Sequence, residues 1–283
     1  MSSAPFQLPD WLTWENVGAA LNSAFTTSLV GALAGAFFGA MAAQRIAVRT
    51  KRVDQLLDQV RMANTAIMAS FAYCNHLLAF KRQHVRPLYE SFSAQKRDLA
   101  EFHRMRDAGN IPKEQPFQFN ADLRTVQMPL LPVAAIERLL FERLSVSGRP
   151  LALAIQLAGV SASLGDMTER RLLLIEGFKQ LPQQGVVAMY FGLPFGGRVS
   201  TEFADVLEAM HRLTDDGIFF SKLLCEDLVQ LGNKSLDEYK KLSKQSSEKV
   251  AELDFTIARD GGLLPDEAEY QDWLRGFKKA RPD

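Results

Sequence analysis

The chain has 283 residues with 33 basic and 33 acidic side chains, so its formal net charge is zero. Apolar residues make up 47% and charged residues 23%, which is typical of a folded protein. These values exclude a disordered polymer and a disulfide-rich miniature. They also give no bulk argument for a nucleic-acid binder, which normally carries a basic excess.

The zero net charge is a sum over three unlike segments. Residues 1–44 carry two acidic and no basic side chains, and sum to −2. Residues 45–106 carry 12 basic and 5 acidic side chains, or +7, and residues 107–283 carry 21 and 26, or −5. This asymmetry predicts that the chain changes surroundings near residue 44.

Residues 17–44 contain no charged side chain and predict a transmembrane helix. As a helix this run is about 42 Å long, and a hydrocarbon core needs about 20 residues. Trp11 and Trp14 precede it, where indole rings favour the membrane interface. Two alternatives stay open, a buried helix of a soluble core and a cleaved signal peptide. The second is disfavoured because residues 1–16 have no basic side chain.

The basic residues directly after residues 17–44 predict the orientation of this span. Lys and Arg near a span end stay on the cytoplasmic side, so we expect residues 1–16 outside and residues 45–283 inside the cell. The expected location is the inner (plasma) membrane, crossed once. The residues expected to set this topology and to face lipid headgroups are Arg45, Arg49, Lys51 and Arg52.

Small residues recur at every fourth position along the predicted span. On a helix they form one row, along which two backbones can approach closely and pack. We therefore expect the chain to form a homo-oligomer through this row. The alternative is a span that merely crosses the membrane. The row consists of Thr27, Gly31, Gly35, Gly39 and Ala43.

Apolar residues then recur at alternating steps of four and three from residue 53 to residue 102. This seven-residue period predicts a helical seam, and a polar residue on such a seam can fix register or helix number. Pro87 is expected to kink or break this basic juxtamembrane helix, residues 45–107. The seam packs either on later helices of the chain or in an intermolecular coiled coil. It begins with Val53, Leu57, Val60, Asn64, Ile67 and Phe71.

Residues 108–132 contain four prolines and predict a connector, followed by a cytoplasmic helical bundle over residues 133–283. The uncharged stretch 180–197 predicts an apolar loop that lies in the core, dips into the membrane or binds a partner. Gly232-Asn233 is expected to end one helix. Ser235 and Glu238 match a capping box that starts the next, which is expected to reach about Ala258.

No motif in the sequence indicates a catalytic, cofactor or metal site. The four histidines lack metal-ligand spacing, and the two cysteines form no CxxC motif. Carboxylates such as Asp215 and Asp216 alternate with apolar residues, as on a solvated helix face. We expect no cofactor, and enzymatic activity is the less favoured interpretation.

Together these features predict an all-α protein, with a single N-terminal transmembrane helix that continues into a long juxtamembrane helix and a cytoplasmic bundle. The leading functional hypothesis is a membrane-anchored, self-associating scaffold or protein-interaction module. Its expected partners are membrane lipid, further copies of the chain and an unidentified protein; nucleic acid is not expected. One alternative is a membrane-active effector that assembles through its span to perturb the bilayer. A second is an enzyme with an unrecognised site on the bundle.

Overall fold

The computed structural model describes residues 24–112, 114–144, 146–243 and 248–277, with residues 24–27 described by their backbone alone. Throughout these ranges the chain is helical or irregular and forms no β-strand, which confirms the predicted all-α class. The predicted extracytoplasmic segment 1–16 and the first part of the predicted span, residues 17–23, lie outside the described residues.

The central element is one helical rod from residue 24 to residue 107. Helix α1 spans Ala24–Phe80, a π-helical turn spans Lys81–Val85, and helix α2 spans Arg86–Asp107. At 1.5 Å per residue the rod is about 125 Å long. The described part of the predicted span therefore continues into the predicted juxtamembrane helix without a loop.

The π-helical turn takes the place of a helix break before Pro87. The Arg86 N–H donates to the Lys81 carbonyl five residues back, and the backbone stays right-handed helical through Val85 and Arg86. A proline ring clashes with the carbonyl four residues before it in a regular α-helix, and a wider turn relieves this clash. The structure therefore has a continuous rod here, not two separate helices.

The remaining elements pack along this rod. They are α3 (Val133–Arg138), a second π-helical turn (Leu139–Arg143), α4 (Arg149–Phe178), α5 (Gln183–Phe191), α6 (Glu202–Ser243), α7 (Thr256–Asp260), a 3₁₀ turn (Glu267–Tyr270) and α8 (Gln271–Arg275). The connector before α3 is irregular. It is held by the buried Arg171 of α4, which donates to the carbonyls of Asp122 and Arg124 at 2.8 and 2.7 Å.

Helix α6 runs antiparallel along α1. Arg49 contacts Leu242 near one end, Cys225 lies against the Ile67 carbonyl in the middle, and Lys81 pairs with Asp215 near the other end. Val60 and Ile67 of the predicted seam are fully buried, and Val53, Leu57, Asn64 and Phe71 are partly buried. The seam therefore packs within the chain, including a small cluster of Leu56 and Val60 with Leu236 and Tyr239.

Asn64, the polar residue of the seam, binds the segment that follows α6. Its side-chain Nδ2 donates to the Lys249 carbonyl, and its Oδ1 accepts from the Ala251 N–H, both at 2.9 Å. The two bonds satisfy the backbone of an irregular segment as a neighbouring strand would. In the structure Asn64 thus fixes the position of residues 249–251 of its own chain.

The predicted helix boundary at Gly232-Asn233 is wrong, because α6 continues through it to Ser243. A Cβ on Gly232 would lie only 3.1 Å from a Val250 methyl, so this glycine permits close packing and does not end the helix. The predicted capping box is also wrong: Ser235 lies against Gln59, and Glu238 pairs with Arg52. The expected helix up to Ala258 is wrong as well, since residues 248–255 are irregular.

The predicted apolar loop, residues 180–197, contains helix α5 and belongs to the core. Ala188, Tyr190 and Phe191 are buried, and the two rings pack against Phe92 of α2 at centroid distances of 5.3 and 6.2 Å. Further contacts join this cluster to Phe203 of α6. Burial of these aromatic side chains accounts for the absence of charge that the sequence shows here.

Gly217 of α6 lies against Leu77 of α1 and Val160 of α4, and it provides a test of this packing. Replacing Gly217 with Ala would place a Cβ over the Cδ1 of the fully buried Leu77 and 3.2 Å from Val160. Overpacking costs about 1–3 kcal/mol and exceeds a helix-propensity gain of about 1 kcal/mol. We expect Gly217→Ala to lower the free energy of unfolding by about 1–2 kcal/mol in urea titrations of the detergent-solubilised chain.

Gly159→Ala is the matched control, because Gly159 lies inside α4 and a Cβ there would meet no atom within 4 Å. It should leave stability unchanged or raise it by up to about 1 kcal/mol. If Gly217→Ala were as stable as Gly159→Ala, the three helices could not be as closely packed as described.

Candidate functional site: the end of the span and a charged pocket

Residues 28–44 of α1 present apolar side chains that nothing in the described chain covers. The most apolar 18-residue window near this end of the rod is 0% buried. Helix α4 is also long and apolar enough to cross a bilayer, but 33% of its window is buried and it packs against α6. An uncovered apolar surface of this extent indicates contact with lipid or with another protein. Its largest exposed side chains are Leu29, Val30, Leu33, Phe37 and Phe38.

The predicted small-residue row lies on this uncovered surface. A Cβ added to Gly31, Gly35 or Gly39 would meet no atom within 4 Å, and Ala43 is exposed. The side chain of Thr27 lies outside the described residues. The described part of the row is therefore open to close approach by a second helix, as the small-residue prediction requires.

Two of the charged residues after the predicted span contact the C-terminal end of α6. The Arg49 Nη2 donates to the Leu242 carbonyl at 2.6 Å, and the Arg52 Nη2 lies 2.8 Å from the Glu238 Oε2. A cationic side chain on the last carbonyls of a helix interacts favourably with the helix dipole. The C-terminal end of α6 is therefore fixed to α1 at Arg49 and Arg52, shortly after the uncharged run 17–44.

A groove of about 480 Å³ opens at this contact, and we call it the junction groove. Three of the four predicted headgroup residues, Arg45, Arg49 and Arg52, line it together, whereas Lys51 is exposed outside it. The sequence prediction did not distinguish Lys51 from the arginines, because the distinction depends on where α6 ends. The groove is completed by Met41, Gln44, Val48 and Leu242.

A second cavity of about 470 Å³, the charged pocket, lies at the opposite end of the α1–α6 contact. Beside it, the buried Lys81 lies 2.5 Å from the Asp215 Oδ1 and donates to the Leu263 carbonyl at 3.0 Å. The Tyr270 hydroxyl donates to Asp216 at 2.9 Å. The pocket is lined by Tyr89, Glu208, His211, Arg212, Asp215, Asp216, Glu269 and Tyr270.

The prediction of a solvated face is wrong for Asp215 and Asp216, which are both partly buried and bound within the protein. One sequence signal was available: Lys81 occupies an apolar position of the seam, and a buried lysine needs an anionic partner. The sequence could not show that α6 supplies this partner.

Burial shifts the titration of the pocket's central groups. It lowers the pKa of His211, although Asp215 opposes this effect, and the His211 ring stacks on Tyr89 at 4.4 Å. Burial raises the pKa of Asp216, although the Tyr270 hydroxyl opposes it. The carboxylate nearest to the imidazole is that of Asp215, whose Oδ2 lies 3.7 Å from the His211 Nδ1.

The chemistry of the other candidate residues is limited by burial. Cys74 and Cys225 are buried free thiols, and burial raises the pKa of Cys74 to about 11, which suppresses thiolate reactivity. The His76 Nδ1 lies 2.9 Å from the Leu130 carbonyl. Across the described ranges, no three His, Cys, Asp or Glu side chains converge in a way that could hold a metal ion.

Comparisons of the chain with known protein families, curated proteins and solved structures find no match.

The lowered pKa of His211 predicts a pH dependence of stability. The unfolded chain binds the imidazole proton more readily than the folded chain, so this contribution to stability is present above about pH 6.5 and is lost as the pH falls below it. Each proton taken up only on unfolding gives at most about 1.4 kcal/mol per pH unit. We expect His211→Asn to reduce the loss of unfolding free energy between pH 7.5 and pH 5.5 in urea titrations.

Asp216→Asn should change the pH dependence of the unfolding free energy in the direction opposite to His211→Asn. The pKa of Asp216 is raised, so the folded chain binds this proton more readily, and the carboxylate reduces stability above its folded pKa. Removing it should make the decline toward acid pH steeper. Identical profiles for the parent and both variants would mean that the pocket's titration is not coupled to folding.

Proposed function

We propose that this protein is a single-pass membrane scaffold, which holds a cytoplasmic helical bundle at the bilayer and self-associates through its span. The observation that supports this function best is the continuous rod, in which uncovered apolar residues 28–44 lead directly into the helix that organises the bundle. A junction without a loop fixes the distance and direction of the bundle relative to the span. That property suits a protein whose task is to position others.

The charges around the span support the cytoplasmic placement. The four cations after it lie on the bundle side, whereas residues 1–16 carry only acidic charges. The open face of Gly31, Gly35 and Gly39 supports assembly of two or more spans. The exposed Ile155 and Leu173 of α4 offer apolar contacts for a protein partner on the bundle.

The membrane-active effector and the enzyme, the two alternative functions, receive different support from the structure. The apolar stretch 180–197 supported a membrane-active effector, but Ala188, Tyr190 and Phe191 of helix α5 are buried in the core, so this support is weaker. The enzyme hypothesis requires a cavity with converging polar groups, and the charged pocket meets that requirement. However, the described lining includes no Ser, Thr or Cys nucleophile, and two of its four carboxylates, Asp215 and Asp216, are engaged by Lys81 and Tyr270.

Membrane insertion and orientation can be tested with the full chain in native membranes. We expect the chain to stay with the membrane in alkaline carbonate. A Ser3→Cys variant should react with an impermeant maleimide in intact cells, because residue 3 lies on the outer side of the proposed span. Lys234→Cys, on an exposed position of α6, should react only after permeabilisation. Release by carbonate, or labelling of Lys234→Cys in intact cells, would contradict the proposal.

Self-association can be tested by filling the small-residue row. Gly35→Leu should prevent close approach of two spans and reduce the oligomer to monomer in mild detergent, measured by light scattering. Ala40→Leu is the matched control, because it adds a similar side chain to the same span away from the row, and it should leave the oligomer intact.

An unchanged oligomer in Gly35→Leu would remove the row as the contact surface. Recording the membrane potential of the same cells separates scaffold from effector. Depolarisation by the parent chain that Gly35→Leu abolishes would favour the effector.

A further inference from the structure

The junction groove has two kinds of wall at the level where the span ends. Met41, Val48 and Leu242 form an apolar wall, and Arg45, Arg49 and Arg52 form a cationic wall. Arg45 is the first charged residue after the uncharged run 17–44, so the groove lies at the depth of the headgroups if the span crosses the bilayer.

The three arginines are not equally engaged by the protein. Arg52 is paired with Glu238, and Arg49 donates to a backbone carbonyl, which leaves its charge uncompensated. Arg45 forms no ion pair with any described residue, although it is exposed on the same face of the helix. The groove therefore keeps a net positive charge that no protein group within the described ranges neutralises.

A phospholipid has the chemistry that complements these two walls. Guanidinium groups bind phosphate oxygens in a bidentate geometry, and basic pockets beside cytoplasmic span ends favour anionic headgroups. Met41 lies about one helical turn before Arg45, within the proposed span, where the first carbons of an acyl chain would lie beside a headgroup at Arg45. A free phosphate would use the cationic wall alone.

We propose that the junction groove binds one anionic phospholipid of the cytoplasmic leaflet, with its phosphate on Arg45 and Arg49 and an acyl chain along Met41 and Leu242. This inference rests on the proposed membrane anchoring. Bound lipid joins α1 to the last turn of α6, so it stabilises the attachment of the bundle to the span by mass action. The anionic lipid content of the membrane then sets how firmly the bundle is held there.

The test uses the full chain in nanodiscs of phosphatidylcholine containing a minor fraction of phosphatidylglycerol. Lipids that remain bound after detergent extraction are counted by native mass spectrometry, with and without glycerol phosphate as a soluble competitor. We expect the parent to retain one phosphatidylglycerol in preference to phosphatidylcholine. Arg45→Gln should weaken this preference about tenfold, the effect of losing one charge-assisted contact.

Lys51→Gln is the matched control. It removes the same charge one or two turns from the span end, but from a residue outside the groove, and it should keep the preference. Arg45→Lys keeps the charge without the bidentate geometry and should give an intermediate result. Circular dichroism verifies that each variant keeps its helix content.

The outcomes separate this inference from the proposed function. A chain that does not enter nanodiscs contradicts membrane anchoring and the inference together. A chain that enters but shows no phosphatidylglycerol preference contradicts the inference alone. Equal losses in Arg45→Gln and Lys51→Gln would reduce the effect to general electrostatic attraction and overturn the groove as a site. Full displacement by glycerol phosphate would show a phosphate site without an acyl-chain contact, and would overturn the lipid assignment.

Discussion

The uninterrupted helical backbone from residue 24 to residue 107 is the constraint on which the rest of the structure depends. It makes residues 24–44 and the axis of the bundle one continuous helical element. Helix α6 lies antiparallel along α1, from the charged pocket at one end to the junction groove at the other. The other helices fill the sides of this pair, and the C-terminal segment closes over the end that carries Lys81.

Part of the charge asymmetry along the chain is explained by this pairing. Ion pairs join the basic segment 45–106 to the acidic segment 107–283 at Arg52–Glu238, Arg61–Glu248 and Lys81–Asp215. The first two are solvent-exposed and contribute little to stability, since exposed pairs are worth about 0–1 kcal/mol. The third is largely buried, so loss of one partner would leave an uncompensated charge in the core. Charges that cancel across the sequence therefore also meet in space.

Sequence periodicity predicted the long helix and its seam well, because a repeat of apolar residues reports directly on which helix face is buried. The prolines likewise indicated the connector. Local signals failed where tertiary contacts decided the outcome. Gly232 resembles a helix end, but its lack of a side chain serves contact with Val250. The stretch 180–197 has the composition of a loop, but its aromatic side chains fold as a helix into the core. Neither cavity could be predicted, because each depends on where α6 begins or ends beside α1.

The loop-free passage from span to bundle has a mechanical consequence. A flexible linker would let a span turn about its own axis without moving the domain beyond it. A continuous helix has no such linker. Rotation of residues 28–44 about the rod axis therefore turns the attached bundle through the same angle. Arg49 and Arg52 also bind the C-terminal end of α6 to α1, and these contacts resist movement of one helix along the other. A rotation of residues 28–44 about the rod axis would therefore change the direction that the surface of the bundle faces.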